Sequence, residues 1–349
     1  MRILRADEDY FEEWDKFLIE SGQGHVLQSS VFAEVWKSVS FKPLLILAEE
    51  KGEIIGGIMS HIWFGNSKYF RLLKHFTLLR SQYGPVVSVQ YDKHLVLRGI
   101  LKFMQKELKQ ENAMQHTVST PYAWGYDIFE SFGYKPMAHG LRCTFIVDLR
   151  KSVQDLFDSL RRDKRRGVRK AEVSNVKVVE GIGDETPKIF HRLHVCTAKR
   201  LGILADPYSF IEGIWKILVT EGHAKFLFAH CDGRIVAGWI FLLFNSGLYT
   251  YISASLKEYH KLHVNTLLQW KILLYGLENG YEFCDLMGAP GEEQKDHPEY
   301  GLYIFKKGFG GKPSEIRFYS KIFSERRLKI FDSLLISPYR KLSTLSRLT

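Results

Sequence analysis

The apolar positions of this chain fall into short strand-like runs and longer helical stripes, and the same succession occurs twice. Ala48-Glu-Glu-Lys-Gly-Glu-Ile-Ile-Gly-Gly-Ile58 reads as an apolar strand, a Lys51-Gly52 turn and a second apolar strand. Ala229-His-Cys-Asp-Gly-Arg-Ile-Val-Ala-Gly-Trp239 repeats it: Ala48, Gly52, Ile54 and Gly57 recur as Ala229, Gly233, Ile235 and Gly238, an offset of 181 residues (48 to 229). Glycine supplies the positive φ that such hairpin turns need. Upstream, Phe32-Ala-Glu-Val-Trp36-Lys37 is echoed by Ile211-Glu-Gly-Ile-Trp215-Lys216, both with helical apolar spacing. Downstream, residues 95–108 and 267–277 are amphipathic helices, each leading to a short strand, near 115–119 and 281–285. Helices, hairpin, strand, helix and strand therefore occur twice in order, which predicts an internal duplication.

That order resembles the GNAT acyltransferase fold, an α/β class with a mixed sheet. Two copies predict two tandem GNAT-like domains with a groove between them. The first is expected over residues 1–149 plus 319–349, on the acceptor side, and the second over 150–318, on the acyl-donor side. Phe145-Ile-Val-Asp-Leu149 reads as the closing strand of copy one, and a last helix near 324–335 as packing back on it.

At 349 residues the chain is long enough for two cores, and its apolar (45%) and charged (25%) shares are those of a water-soluble protein. The best apolar run, 235–244, is too short to span a bilayer, and the N-terminal stretch has no signal-peptide core, so a cytoplasmic protein is expected. Cys143, Cys196, Cys231 and Cys284 form no CxxC pair, which speaks for reduced thiols and against a zinc site. His260 and His263 lack companion ligands, so no metal and no cofactor is expected. The net charge of +10 predicts an anionic partner: nucleic acid, a nucleotide-linked substrate or transient contact with a membrane surface.

The charge is concentrated in Ser159-Leu-Arg-Arg-Asp-Lys-Arg-Arg-Gly-Val-Arg-Lys170, where Arg161, Arg162, Lys164, Arg165, Arg166, Arg169 and Lys170 accompany one acid, Asp163. Few of these cations can be neutralised locally, so phosphate binding is weighed above a merely solvated face. Gly167 predicts a break between two helical pieces.

Three stretches then resemble the Fem family of peptidoglycan-bridge aminoacyltransferases: Gln28-Ser-Ser-Val-Phe32 running to Trp36-Lys37, Lys164-Arg-Arg-Gly-Val-Arg-Lys-Ala171, and Tyr303-Ile-Phe-Lys-Lys-Gly-Phe-Gly-Gly311 with a strand expected at 313–318. Thr197-Ala-Lys-Arg-Leu-Gly202 and Tyr281-Glu-Phe-Cys-Asp-Leu-Met-Gly288 also fall in place. The resemblance implies a tandem GNAT-like fold and transfer of an aminoacyl group from aminoacyl-tRNA to an amine of a nucleotide- or lipid-linked peptide, with no DNA partner. By position it implies that Lys37 and Arg200 hold the acceptor's diphosphate, with Trp36 and Lys307 beside the substrate, and that Lys306 stands near the reacting ester. The long coiled-coil arm of some members is absent, so the chain resembles the compact type.

Acyl transfer to an amine requires alignment and a donor for the developing oxyanion, and no side-chain nucleophile. No GxSxG or Cys–His arrangement is present, and direct attack in a ternary complex is the natural mechanism. Lys306 or Lys307 can supply positive charge, the glycines at 308, 310 and 311 permit close backbone approach to a ligand, and Asp285 at a strand end can orient the amine, accept its proton or cap the strand. Two alternatives stay open. An acyl-CoA-dependent N-acyltransferase would carry a glycine-rich pyrophosphate loop, whereas Tyr259-His-Lys-Leu-His-Val-Asn265 has no glycine. A non-catalytic RNA- or nucleotide-binding relative would have no use for the 306–311 block.

Overall fold

The computed structural model describes residues 1–63, 76–121, 123–137 and 142–336. The chain begins β1 (Arg2–Ala6), α1 (Phe11–Glu20), α2 (Ser30–Ser38), β2 (Lys42–Glu50), β3 (Glu53–Trp63), β4 (Thr77–Gln82), β5 (Val86–Val87), α3 (Lys93–Gln110), β6 (Ala113–Thr120), α4 (Tyr126–Ser131) and β7 (Lys135–Pro136). It continues β8 (Cys143–Asp148), α5 (Val153–Ser159), α6 (Arg162–Val173), β9 (Lys177–Glu180), α7 (Thr186–Leu201), α8 (Tyr208–Gly213), β10 (Ala224–Cys231), β11 (Arg234–Phe244) and β12 (Gly247–Ser255). Last come α9 (Val264–Glu278), β13 (Phe283–Asp285), α10 (Tyr300–Lys307), β14 (Lys312–Glu315), β15 (Arg317–Ile322) and α11 (Glu325–Phe331). No helix among the described residues is long and apolar enough to cross a membrane.

The described residues divide into two units, 1–137 with 316–336, and 142–315. The division thus falls near residue 140 rather than at 149, and near 316 rather than at 319; the expected tail of the first domain beyond 336 lies outside the described residues. Each unit is built on one mixed sheet, ordered β1-β2-β3-β4-β6-β15-β7 in the first and β9-β10-β11-β12-β13-β8-β14 in the second, with helices against it.

The two hairpins match in detail. Lys51 and Gly52 (φ 53° and 86°) and Asp232 and Gly233 (φ 50° and 74°) both place two successive residues in the left-handed region, the turn whose twist suits a two-residue hairpin. In the first, Glu50 pairs Glu53 and Glu49 pairs Ile54, and a bulge follows before Ala48 pairs Gly56. In the second, Cys231 pairs Arg234 and His230 pairs Ile235, and the bulge falls at the equivalent place before Ala229 pairs Ala237. The repeated strand glycines serve packing: a Cβ on Gly57 would meet the Trp14 ring at 2.7 Å, and one on Gly238 the Phe228 ring at 2.9 Å.

The units differ where each sheet turns parallel. β4 and β6 run together from Thr77 to Gln82. β12 and β13 pair over only three residues, Gly247–Tyr249 with Phe283–Asp285, and then part. Beyond the parting Leu286 and Ala289 bond back to β8, and Ser253, toward the end of β12, is exposed. Among the described residues, the parallel pairing of the second unit is therefore the shorter, three positions against six.

Two expectations on strand placement are corrected. β8 does not close the first copy; it pairs with β13 and β14, because Phe145, Val147 and Leu149 complete the apolar core of the second unit. The strand expected over 313–318 is two: β14 stays on β8, while β15 crosses to β6, where Tyr319 stacks on Phe129. The strand following each copy thus occupies the sixth position of the other copy's sheet. The final helix α11 lies on the first unit, with Phe331 against Phe76 and Met114 and Arg327 donating to the carbonyls of Asn112 and Ala113.

Two expectations on helices are corrected as well. α6 is continuous through Gly167: a Cβ there would meet the His263 ring at 3.0 Å, so the glycine lets α6 lie close on the start of α9. The break lies at Leu160, between α5 and α6. The copy of α2 is helical only through α8 and then widens into a π-turn over Ile214–Val219 that holds Trp215 and Lys216.

Candidate active site

The second unit gathers buried ionisable groups where β12 and β13 part. Asp285, the last residue of β13, is buried and accepts hydrogen bonds from the Thr144 hydroxyl of β8 and from the Met287 N–H, the latter at 2.6 Å. That second bond folds the chain into a turn in which Met287 takes a left-handed φ of 59°. The turn presents two carbonyls: Lys306 Nζ donates to Met287 O at 3.0 Å and to Gly288 O at 2.8 Å. Lys306 is 7% exposed, and burial pushes its ammonium down to about 8, against the favourable charge of Asp285. Asp285 is moved the other way: burial raises its carboxyl, while Thr144, Met287 and Lys306 draw it back. An ammonium has three donors, and two are used here. What remains is a pre-positioned, largely desolvated cation with one N–H to give.

Lys306 sits in the last turn of helix α10, not on a strand, and the glycines after it are packing glycines. A Cβ on Gly308 would meet Lys164 Cε at 2.6 Å, and one on Gly310 (φ 77°) the Ser159 carbonyl oxygen at 2.6 Å. One on Gly311 would meet Phe145 and Val147 at 3.1 Å. Chain, rather than ligand, approaches them. Lys164 packs over the Phe305 ring at 4.2 Å and the Phe309 ring at 5.5 Å, so it grips the segment carrying Lys306 and is no surface cation. Burial lowers its ammonium to about 8. The Arg161 N–H donates to Gly308 O at 2.9 Å, joining the start of α6 to the same turn.

The remaining expected residues are dispersed. Lys307, on the other face of α10, pairs with Glu292 at 2.8 Å and lies over Tyr303. Arg200, in the last turn of α7, has no carboxylate within 4.0 Å among the described residues, and its charge reaches His260, whose imidazole is lowered first by burial and then by Arg200. Beside it runs a chain that sequence reading missed: Trp239 Nε1 donates to Asn265, Asn265 to Ser255 Oγ, and Ser255 Oγ bonds His260. Trp36 and Lys37 belong to the first unit. Trp36 stacks on His61 at 4.2 Å and on Phe41 at 5.2 Å, and these two rings also stack on each other at 5.7 Å. Lys37 is held by Glu8 and Glu34, both at 2.6 Å; partial burial opposes its charge, but the two carboxylates prevail and raise its ammonium. Glu8 lines a cavity of about 340 Å³ with Arg5, Phe11 and Lys42.

Sequence reading missed Thr144 because β8 was placed in the wrong sheet, and Met287 because its part is played by backbone. Of the basic residues, Arg161 is held by Asp163 at 2.8 Å, and Arg165 donates to the carbonyls of Asp158 and Leu160 at 2.6 and 2.7 Å. Arg169 lies over Phe157. Arg162, Arg166 and Lys170 are exposed, with no ion pair within 4.0 Å among the described residues.

A family profile for the acetyltransferase (GNAT) domain matches residues 158–300, within the unit that holds Asp285 and Lys306. The chain is 22% identical over 383 residues to a Lipid II:glycine glycyltransferase of Staphylococcus haemolyticus, covering 87% of this chain and 89% of that protein. It is 23% identical over 384 residues to the protein of the same name from Staphylococcus aureus (strain MRSA252), with the same coverage. The structure of FemX superposes with a TM-score of 0.74 at 20% identity, over 96% of this chain and all of that one. The chain thus resembles these Fem-type proteins over most of its length. A tandem GNAT protein from the clavulanic acid pathway shares the fold more distantly, with a TM-score of 0.61 at 13% identity over 92% and 98% of the two chains. On this tandem GNAT fold, with an acetyltransferase domain matched in its second unit, the protein is an acyltransferase.

Proposed function

We propose that the protein transfers an aminoacyl group from aminoacyl-tRNA to an amine of a lipid- or nucleotide-linked peptide precursor, by direct attack in a ternary complex on the cytoplasmic side of a membrane. The observation that carries this reading is Lys306 Nζ, buried and held on the carbonyls of Met287 and Gly288 where β12 and β13 part. The relatives named Lipid II:glycine glycyltransferase support the acceptor class.

In this mechanism the acceptor amine, unprotonated, attacks the ester carbonyl carbon. Negative charge gathers on the carbonyl oxygen, and the free N–H of the Lys306 ammonium stabilises it. The C–O bond to the ribose then breaks, the ribose oxygen leaves with a proton, and an amide remains. Asp285 holds the turn that fixes Lys306 and adds a compensating charge. Lys37 in the first unit and Arg200 in the second are each proposed as a phosphate-binding cation for the acceptor, Lys37 by exchanging its carboxylate partners for phosphate oxygens. Trp36 and Lys307 are proposed as the outer substrate contacts.

One observation favours a second reading, an acyl-CoA-dependent N-acyltransferase: the profile matched over residues 158–300 is that of an acetyltransferase domain. The turn into α9, made by His263 at φ 57° with no glycine in residues 259–265, counts against it. The test is to incubate the protein with a peptide amine and either aminoacyl-tRNA or aminoacyl-CoA, and to follow amide formation by mass spectrometry. Product from the tRNA alone is expected; product from the CoA thioester alone would replace the first reading by the second.

A further inference from the structure

The seven cations between residues 161 and 170 are not equivalent. Four are occupied within the fold: Arg161 on Asp163, Lys164 over Phe305, Arg165 on two carbonyls and Arg169 over Phe157. The three that remain, Arg162, Arg166 and Lys170, are spaced four residues apart and exposed on α6. At about 1.5 Å of rise per residue they stand about 6 Å apart along a track of about 12 Å, on one face of the helix. The opposite face, with Lys164, Gly167, Val168 and Ala171, is buried. The acids of the helix do not cancel the track: Asp163 is held by Arg161, and Glu172 lies roughly 160° round the axis from Lys170.

Gly167 adds a second element. Having no Cβ, it brings α6 onto His263 and Thr266 at the start of α9, a helix of 15 residues whose amino end carries partial positive charge. The His263 imidazole feels Lys170, Lys164 and Arg166, so these cations and the helix end share one field.

We propose that Arg162, Arg166 and Lys170 form a track for the sugar–phosphate backbone of one RNA strand, binding it without regard to base sequence. The spacing of the cations is comparable with that of neighbouring phosphates along a strand, whereas a single phosphate group would engage no more than one or two of them. This deepens the reading of an RNA-borne donor and rests on it.

The test measures binding of the full chain to a fluorescent, uncharged single-stranded RNA oligonucleotide across a range of salt. Three phosphate contacts give a log–log salt slope of about −2, at roughly 0.7 per phosphate. The R162S/R166S/K170S variant is expected to lose most of that slope and of the affinity, and the charge-preserving R162K/R166K/K170R variant to retain both. An unchanged slope in the serine variant would overturn the track. So would wild-type protein that ignores the oligonucleotide and binds phosphatidylglycerol vesicles through the same residues, which would make the stripe a lipid-facing surface. Because the probe carries no aminoacyl group, stripe-dependent binding supports the track even where no amide forms, and failure of every RNA-borne donor to give product overturns the donor instead.

Discussion

Asp285 reaches Lys306 through a single residue: its Oδ1 accepts the Met287 N–H at 2.6 Å, and the Met287 carbonyl accepts the Lys306 ammonium at 3.0 Å. The carboxylate therefore acts on the lysine both through its field and through the shape of the turn, which makes the two separable by mutation.

If Lys306 serves the oxyanion, Lys306→Ala should lower kcat by roughly 10²–10³-fold, the usual loss for one such donor. The acceptor KM should barely move, because the charge develops only in the transition state. Lys306→Met, which fills similar volume without charge, should stay folded by circular dichroism yet remain as inactive. Full activity in the methionine variant would reduce Lys306 to a packing residue.

Asp285→Asn keeps the acceptor oxygen for Met287 and Thr144 and removes the negative charge. That charge raises the ammonium of Lys306, so its loss should move the lysine below about 8. The active form is the cation, and the alkaline limb of the pH–rate profile should shift to lower pH. An alkaline limb that stays in place would mean that the two groups are not coupled.

Gly310 and Gly308 should respond differently to alanine. At Gly310, φ is 77° and the clash is with the Ser159 backbone, so Gly310→Ala should cost about 2 kcal/mol or more in denaturant unfolding. At Gly308 the obstacle is the flexible end of Lys164, so Gly308→Ala should cost less, and its effect should be non-additive with Lys164→Met. Additive effects would show that Lys164 does not press on this turn.

The first unit should be acid-sensitive. His116 is buried between Ser81 and Tyr134, at 2.9 and 2.7 Å, and burial lowers it to about 3; burial does the same to His25. Both are neutral when folded and bind a proton when unfolded below about 6.5. Stability is therefore full above that pH and is lost as the pH falls toward about 3, by up to about 1.4 kcal/mol per pH unit for each group. Urea midpoints measured across that range should flatten in His116→Gln, and an unaltered slope would contradict the burial argument.

Much of the architecture is local and could be read from the residues. The Lys51-Gly52 and Asp232-Gly233 turns, their flanking strands and helix α3 follow from turn chemistry and apolar period, which act over a few neighbouring positions, whereas α9, expected to be amphipathic, has no exposed residue from Val264 to Leu277. The repeat of those patterns also carried the tandem arrangement. Residue types and placement singled out Asp285 and the basic stretch as chemistry-bearing, and the family resemblance singled out Lys306.

Only the tertiary structure decided which sheet each strand joins and which charges stay free. β8 reads as a strand, and a single strand was expected over 313–318; that β8 and β15 are exchanged between sheets depends on where Phe145, Val147 and Tyr319 find apolar partners far along the chain. The same distance hides why Gly167 and Gly308 are glycines, since His263 and Lys164 are what they accommodate. It also separates Lys164, buried against Phe305, from Arg162, Arg166 and Lys170 in solvent, although all four are cations of one short helix. Sequence period reports a residue's position on its own element, whereas burial and pairing depend on what packs against that element, and that is contributed by residues remote in the chain.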